Sequence, residues 1–487
     1  MSDLIKSKAL RDVIWSFIQR AGALIISFLA NMVLARLLTP DDFGCIGIIL
    51  VFVSIADVLV DGGLGASLIH KRSITQEDVN TVFTSNFVIS LSIFITLFLC
   101  APYIASYFEI PSLSLYIRIE SIAIIFRALY VVQSAILGKS LHFKNISKIN
   151  IISAAIGALI GIIMAYMGFG VWSLIGKNLT HQLMLVVLYR IISKIPSRFG
   201  FNKESFKQLF GYGWFIALTN FLDLIHSNLA SFIIGKSYSV KDLGYYNQAY
   251  SLQQIPTYSI SMVINQVLFP YMSKVNDDVK IVNNYTKRVI PMTAFVVMPL
   301  MVFLILFAKP VITIIYSAKW LPAAAYFQIL CIEGLFNSFI HINRNVLKSI
   351  GKTKLLFNIQ LFVILLGIIF LIVSSRFNIL VMISCIILCS FINWIIVTIV
   401  AGSQIRYNIM AQVVDILPSF LISIVSGSIT LFICNYIKIH VIVLTLIAGL
   451  LFVLTYLIIN YIFRTKSMKI TFEMVFPNRK IYGKKSL

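Results

Sequence analysis

The sequence predicts an all-α integral membrane protein of about fourteen transmembrane helices, and three observations carry that expectation. The 487 residues are 59% hydrophobic and 12% charged, with a mean hydropathy of +0.94, outside the range of soluble globular chains. Apolar stretches of roughly 20 residues, the length that crosses a hydrocarbon core, recur along the whole chain and leave no room for a soluble catalytic domain. The 40 Lys and Arg against 18 Asp and Glu give a net charge of +22, and those bases fall unevenly between alternate loops.

Breaks rich in Pro, Gly and charge separate the stretches. The predicted spans run over 13–38, closed by Thr39-Pro40, then 43–69, closed by the His70-Lys71-Arg72 cluster. They continue over 79–108, 111–138, 146–167, 170–192 and 206–235, with Pro111 and Gly138 at the two ends of the fourth and Gly168 and Pro196 among the residues between later ones. The second set covers 241–275, 281–307, 320–350, 354–373, 378–402, 410–436 and 439–463. The N-terminal segment carries Lys6, Lys8 and Arg11 but no small-residue cleavage site, so the first span is expected to be retained.

With the N-terminus inside, 28 Lys and Arg fall on inner ends and loops, 7 on outer ones and 5 within spans. That bias orients both termini to the cytoplasm and accounts for the positive charge without nucleic acid. The tail from Arg464 has seven bases and one acid, Glu473, which suits anionic headgroups and equally a stop-transfer end. Six cysteines lie in or beside apolar stretches with no metal-ligand spacing, so neither disulfides nor a metal is expected.

Two segments echo each other 200 residues apart: Leu38-Thr39-Pro40-Asp41-Asp42-Phe43-Gly44 and Tyr238-Ser239-Val240-Lys241-Asp242-Leu243-Gly244. Trp15 and Trp214 precede them at matching distances, and Leu137-Gly138-Lys139 matches Ile350-Gly351-Lys352. These echoes predict two six-helix lobes in parallel repeat, 1–200 and 201–403, around a central cavity. Two additional transmembrane helices, 404–463, and the basic cytoplasmic tail, 464–487, stand outside the repeat.

An ionisable group within a span costs at least about 2.5–3.5 kcal/mol on insertion scales, so it needs a cavity or a partner. Glu333, Asn337, His341 and Arg344 are spaced to share one helical stripe. A cavity wall and a polar helix contact both fit, and Arg344 is near enough to the inner surface to snorkel. Arg127, near mid-membrane, is the foremost anion ligand, with an internal pair to Glu120, seven residues away, as the alternative; Arg118 is in the same span. Arg20, Ser27 and Asn31 form a stripe in the first span, and Asn220, Asp223, Ser227 and Ser231 form another in the seventh. Asp57 and Asp61 offer a proton or cation site or mark a helix break at Asp61-Gly62-Gly63. Lys177 with His181, and the track Asn247, Ser251, Gln254, Ser261 and Asn265, face a cavity without identifying a ligand. No phosphate loop or nucleophile with a nearby base is present. The guanidinium groups favour bidentate pairing with phosphate, which makes an anionic amphiphile a plausible cargo.

The segments Leu38 to Gly44, Asp61-Gly62-Gly63-Leu64-Gly65, Leu243-Gly244-Tyr245-Tyr246-Asn247, Leu268-Phe269-Pro270 and Trp320-Leu321-Pro322-Ala323-Ala324 resemble the Wzx-type polysaccharide and lipopolysaccharide flippases of the MOP (multidrug/oligosaccharidyl-lipid/polysaccharide) exporter superfamily. The family pattern has a glycine just before the Lys-Trp pair, where this chain has Ser317-Ala318. The resemblance implies translocation of undecaprenyl-diphosphate-linked oligosaccharide from the cytoplasmic to the periplasmic leaflet of the inner membrane by alternating access. It also implies a cationic cavity, onto which Arg20, Arg118, Arg127 and Arg344 fall; Asn31, Asn220 and Asn337 are further substrate-contact candidates from the polar stripes alone. Coupling to H+ or Na+ occurs in some members, and Asp57, Asp223, Glu333 and His341 are the candidate acids and base. Expected partners are membrane lipids, a polysaccharide polymerase and glycosyltransferases, and no cofactor. A cation-coupled multidrug exporter of the same superfamily would favour acids over Arg. A membrane glycosyltransferase or polymerase would need larger outer loops than these.

Overall fold

The computed structural model describes residues 22–274, 279–437 and 439–475, without side chains at 216, 223, 226, 258–274, 279, 474 and 475. Described residues are helical apart from short connections and contain no strand. Eleven of the helices described are long and apolar enough to cross a membrane. That follows from the hydropathy pattern, because a backbone in hydrocarbon must satisfy its hydrogen bonds within its own segment.

Two compact units emerge, Met1–Asn247 and Gln248–Leu487. The first contains α1 (Gly22–Leu37), α2 (Pro40–Asp61), α3 (Leu64–His70), α4 (Gln76–Phe108), α5 (Leu113–Glu120), α6 (Ile122–Lys139), α7 (Phe143–Tyr166), α8 (Val171–Ser193), α9 (Lys203–Ser237) and the start of α10 (Val240–Lys274). α2 packs on α4, α6 and α9, and α7 pairs with α8. The predicted second span is in fact α2 plus α3, broken where Gly62 and Gly63 adopt φ of +50° and +71°. Glycine reaches that left-handed region without a steric penalty. The segment before α9 is stapled to α4: Gln76 Nε2 donates to the Pro196 carbonyl at 2.8 Å, and the Gly200 and Asn202 amides donate to Thr84 and Thr81 hydroxyls at 3.0 Å.

The second unit contains the rest of α10, α11 (Val279–Leu306), α12 (Ala308–Tyr316), α13 (Ala323–Ser349), α14 (Thr353–Ser374), α15 (Ile379–Ile405), α16 (Ile409–Asn435), α17 (Val441–Ile462) and α18 (Lys466–Val475). α13 packs on α11 and α15, while α16 sits on α11 and α17. The buried face of α16 carries Ser419, Ser423, Ser426, Gly427 and Thr430, small residues that let helices approach closely in the absence of a hydrophobic driving force. The first part of the basic tail is not a free segment. α18 docks through Met468 and Phe472 against Phe295, Ile422 and Tyr456, and Lys466 Nζ donates to Asp415 Oδ1 at 2.7 Å. The same Asp415 accepts the Tyr407 hydroxyl at 2.5 Å. Burial, with the Asp415 carboxylate adding to it, holds the Tyr407 phenol protonated well above its ordinary range.

Ser317, in the loop where the family pattern has glycine, has φ +97° and ψ 170°. That conformation is essentially reserved for glycine and costs a side-chain-bearing residue about 1–3 kcal/mol. Trp320, three residues on, is fully buried and fixes the loop by packing on Tyr316. Ser317→Gly is therefore expected to raise stability by about 1 kcal/mol or more, read as a higher thermal midpoint of the purified protein in detergent.

Candidate functional site

The candidate site in the first unit is built where α2 and α6 pack together. Arg127 of α6 points Nη1 at Asp57 Oδ2 of α2, 3.3 Å away, with both side chains partly exposed at 32% and 22%. The bond is single and long for an Arg–carboxylate contact, which at its strongest is a two-bond fork. Tyr130 also lies in hydrogen-bond contact with the guanidinium, but Arg127 Nε is buried without a hydrogen-bond partner among the described residues, so it keeps donor capacity beyond what Asp57 and Tyr130 use. Asp61, one turn beyond Asp57, adds its charge to the same region. Its carboxylate occupies the space a side chain at Gly65 would fill, with Oδ1 2.7 Å from the Cβ position. This explains the Asp61 to Gly65 motif: two glycines turn the chain and the third makes room for an acid.

Arg127 does not pair with Glu120, the alternative that a spacing of seven had suggested. The chain tightens at Ser121, where the Ile124 amide bonds the Ser121 carbonyl at 3.1 Å in an i to i+3 pattern, and this breaks the 3.6-residue register between the two side chains. Glu120 is buried at 1% exposure with Asn178 beside it, and its Oε2 has no hydrogen-bond partner among the described residues. Arg118 lies on the other side of the turn, donating from Nε to the Phe98 carbonyl at 3.2 Å with its guanidinium 4.6 Å from the Phe98 ring. It is thus placed against α4 and not beside Arg127. Tyr130, one turn from Arg127, stacks on Tyr189 at 5.4 Å and donates to Gln182 at 3.0 Å, which stiffens this part of α6.

In the second unit α13 carries the predicted polar stripe. Between Leu330 and Leu347 its positions are buried except Ile332, Glu333, Phe336, Asn337, His341 and Arg344. The helix thus leaves one face open, and the four polar residues lie on it. Glu333 Oε1 accepts the Ser390 hydroxyl of α15 at 3.1 Å, while its Oε2 is buried without a partner among the described residues. Beside the stripe, Asn343 and Gln412 join α13 to α16 through a buried amide pair at 3.1 Å and 3.3 Å. Sequence reading passed over that network, for which the only signal was an Asn one residue off the stripe.

The remaining candidates are scattered or lie outside the described side chains. Arg20 falls outside the described residues, and so do the side chains of Asp223, Ser261 and Asn265. Asn31 is half-buried on α1, and Asn220 and Ser227 are exposed on α9. Ser231 instead donates to Asn247 at 3.0 Å, joining α9 to α10.

The sequence model of a family described as "Polysaccharide biosynthesis protein" matches residues 33–325. The chain belongs to that family. Its relatives include the teichuronic acid biosynthesis protein TuaB of Bacillus subtilis, 24% identical over 85% of this chain and 86% of that one. The succinoglycan biosynthesis transport protein ExoT of Rhizobium meliloti is 24% identical over 73% and 72%, and the lipopolysaccharide biosynthesis protein WzxC of Escherichia coli is 21% identical over 74% and 73%. Among solved structures the fold is similar to the lipid II flippase MurJ in an inward closed conformation, with a TM-score of 0.77, 18% identity and coverage of 92% and 98%. An inward-facing MATE multidrug transporter of the MOP superfamily gives 0.56 at 15% identity, over 80% and 98%. The chain is a multi-pass membrane protein of the polysaccharide biosynthesis family.

The Arg127–Asp57 contact makes a direct energetic prediction. Asp57→Ala strands a cation, at an expected cost of about 1–2 kcal/mol, below the 3–5 of a fully buried pair because both side chains are partly exposed. Asp57→Ala with Arg127→Gln should recover part of that loss. A double-mutant cycle of thermal midpoints measures the coupling, and strictly additive losses would contradict it.

Proposed function

We propose that this protein flips a lipid-diphosphate-linked oligosaccharide from the cytoplasmic to the periplasmic leaflet by alternating access, for lipopolysaccharide, capsule or exopolysaccharide synthesis. The observation that carries the reading is Arg127: a guanidinium within a span, whose one carboxylate contact is a single long bond to Asp57, with Tyr130 and Asp61 beside it, in a chain of the polysaccharide biosynthesis family. A diphosphate supplies the two-oxygen partner that Asp57 does not fully provide. Membership of the family supports the substrate class, and the fold shared with a lipid II flippase supports the type of movement. Alternating access requires no covalent chemistry from the chain.

The bias of bases to alternate loops supports an inner-membrane protein with both termini in the cytoplasm. Coupling to a proton or sodium gradient is part of the proposal, with Asp57 and Glu333 as the acids best placed to respond. Asp57 would exchange Arg127 for a proton or cation when diphosphate takes the guanidinium, and Glu333 has an oxygen to spare. The glycosyltransferases that build the oligosaccharide and the polymerase that consumes it are the expected functional neighbours. The MATE transporter shares the fold, but the sequence relatives named above are polysaccharide biosynthesis proteins.

In cells whose surface glycan depends on this protein, Arg127→Ala should reduce glycan export by about tenfold or more, given roughly 1.5–3 kcal/mol for a charged hydrogen bond, at unchanged membrane abundance. Export at the wild-type level would contradict the anion role. In proteoliposomes, dissipating the proton or the sodium gradient separately identifies the coupling ion.

A further inference from the structure

The two echoed segments found in the sequence meet in space. Thr39 and Asp42 form a capping box at the start of α2, with the Thr39 amide donating to Asp42 at 2.8 Å and the Asp42 amide to Thr39 at 3.3 Å. Ser239 and Asp242 make the matching contact at the start of α10, the Asp242 amide donating to Ser239 at 3.0 Å. Each box sets the helix start so that a glycine follows two residues after its acid, and those glycines face each other's segment. A Cβ added at Gly44 would overlap the carbonyl oxygen of Val240, and one added at Gly244 would overlap the carbonyl oxygen of Pro40. The contact is reciprocal, backbone against backbone, as a pseudo-twofold relation between repeat copies requires.

Further contacts lie along the same seam. A side chain at Gly47 would displace the Asn247 amide, which Ser231 holds from α9. Gly235 of α9 admits Leu243, Ile48 and Phe108 to within 3.1–3.3 Å of its Cβ position. Lys236 ties α9 to the end of α4 through the Tyr107 carbonyl at 2.7 Å and Glu109 at 3.0 Å. At the other end of α2, where α3 begins, the device recurs: Gly213 of α9 would meet the Gly63 carbonyl at 2.7 Å, and Ser67 donates to the Leu209 carbonyl at 2.8 Å.

We propose that Gly44 and Gly244 form a seal that closes the α2–α10 end of the protein, the end that the charge distribution places outside, and that their missing side chains set how much of the time it stays shut. Interfaces of small residues join through close backbone approach and weak Cα–H···O contacts. Such a seal excludes water and still parts in each transport cycle, because the Gly44–Gly244 contact itself is backbone against backbone. Both glycines have ordinary helical backbone, so an added methyl group introduces no backbone strain and acts through the contact. A carbonyl oxygen cannot rotate away as a side chain can, so the helices themselves must separate. The inference rests on the alternating-access part of the proposed function and not on the identity of the cargo.

The test uses the full-length protein in spheroplasts, with its six native cysteines replaced and Asn247→Cys as reporter. A membrane-impermeant maleimide should label that cysteine slowly beside native glycines. Gly44→Ala and Gly244→Ala should each speed labelling by about tenfold, the population change that a shift of one tenfold step in the open–closed equilibrium produces. Gly138→Ala, whose added Cβ would meet no atom within 4 Å, should leave the rate unchanged. Unchanged labelling in both glycine variants at normal membrane abundance would overturn the proposal. Should the alanine variants fail to insert, paired cysteines replacing Gly47 and Asn247 provide a second reading: a short bifunctional thiol reagent should join them, and failure to cross-link would equally overturn it. Labelling is read without substrate, so a wrong cargo assignment would leave this result intact.

Discussion

A guanidinium cannot be left alone in hydrocarbon, and the first unit is arranged around that constraint. Arg127 is kept in the membrane by Asp57 across the α2–α6 contact, with Asp61 adding charge from the next turn. Each acid needs a local backbone device to get there: Gly62 and Gly63 end α2 just beyond Asp61, and Gly65 vacates the space its carboxylate fills. The tightened turn at Ser121 directs Glu120 elsewhere, so that the arginine answers to α2. What results is a cation satisfied well enough to fold but not saturated. A group that must bind and release a phosphate needs that intermediate state, since a saturated pair would not yield and an unpaired charge would not be tolerated.

Much of the architecture was legible because hydrocarbon imposes one simple rule on the backbone, and apolar runs obey it. The stripe on α13 was legible for a related reason: within one unbroken helix, spacing fixes the face. Spacing failed at Glu120 and Arg127 because a one-residue tightening at Ser121 lies between them, and nothing in the composition of Ile119 to Ile124 announces it. The pairing of Arg127 with Asp57 joins residues seventy positions apart, and periodicity within a span carries no information about its neighbour. The docking of α18 was hidden by its lysines, which suggested a headgroup-bound tail while Met468 and Phe472 supplied an apolar edge. Ser317 went the other way: the departure from the family pattern at Ser317-Ala318 was visible in sequence, but the strained φ of Ser317 became apparent only in the backbone.

The repeated segments carry a meaning that their sequence likeness alone did not. A capping residue, an acid three positions on and a glycine two further recur because both copies must start a helix and then present bare backbone to each other. A segment used twice makes such reciprocity easy to build, since the same short motif then supplies both sides of the contact. On the proposed function, binding and sealing fall to different stretches of α2, with Gly44 at one end, Asp57 in between and Gly63 just beyond the other. A single helix linking seal to site gives movement of one a direct mechanical route to the other.

The central claim is that Arg127 recognises the diphosphate of a lipid carrier, and native mass spectrometry of the purified protein tests it most directly. Wild-type protein should retain a polyprenyl diphosphate in preference to the matching polyprenyl alcohol, and Arg127→Gln should lose that preference by about tenfold, one tenfold step being 1.4 kcal/mol. Equal retention of diphosphate by the wild type and the variant would contradict the account.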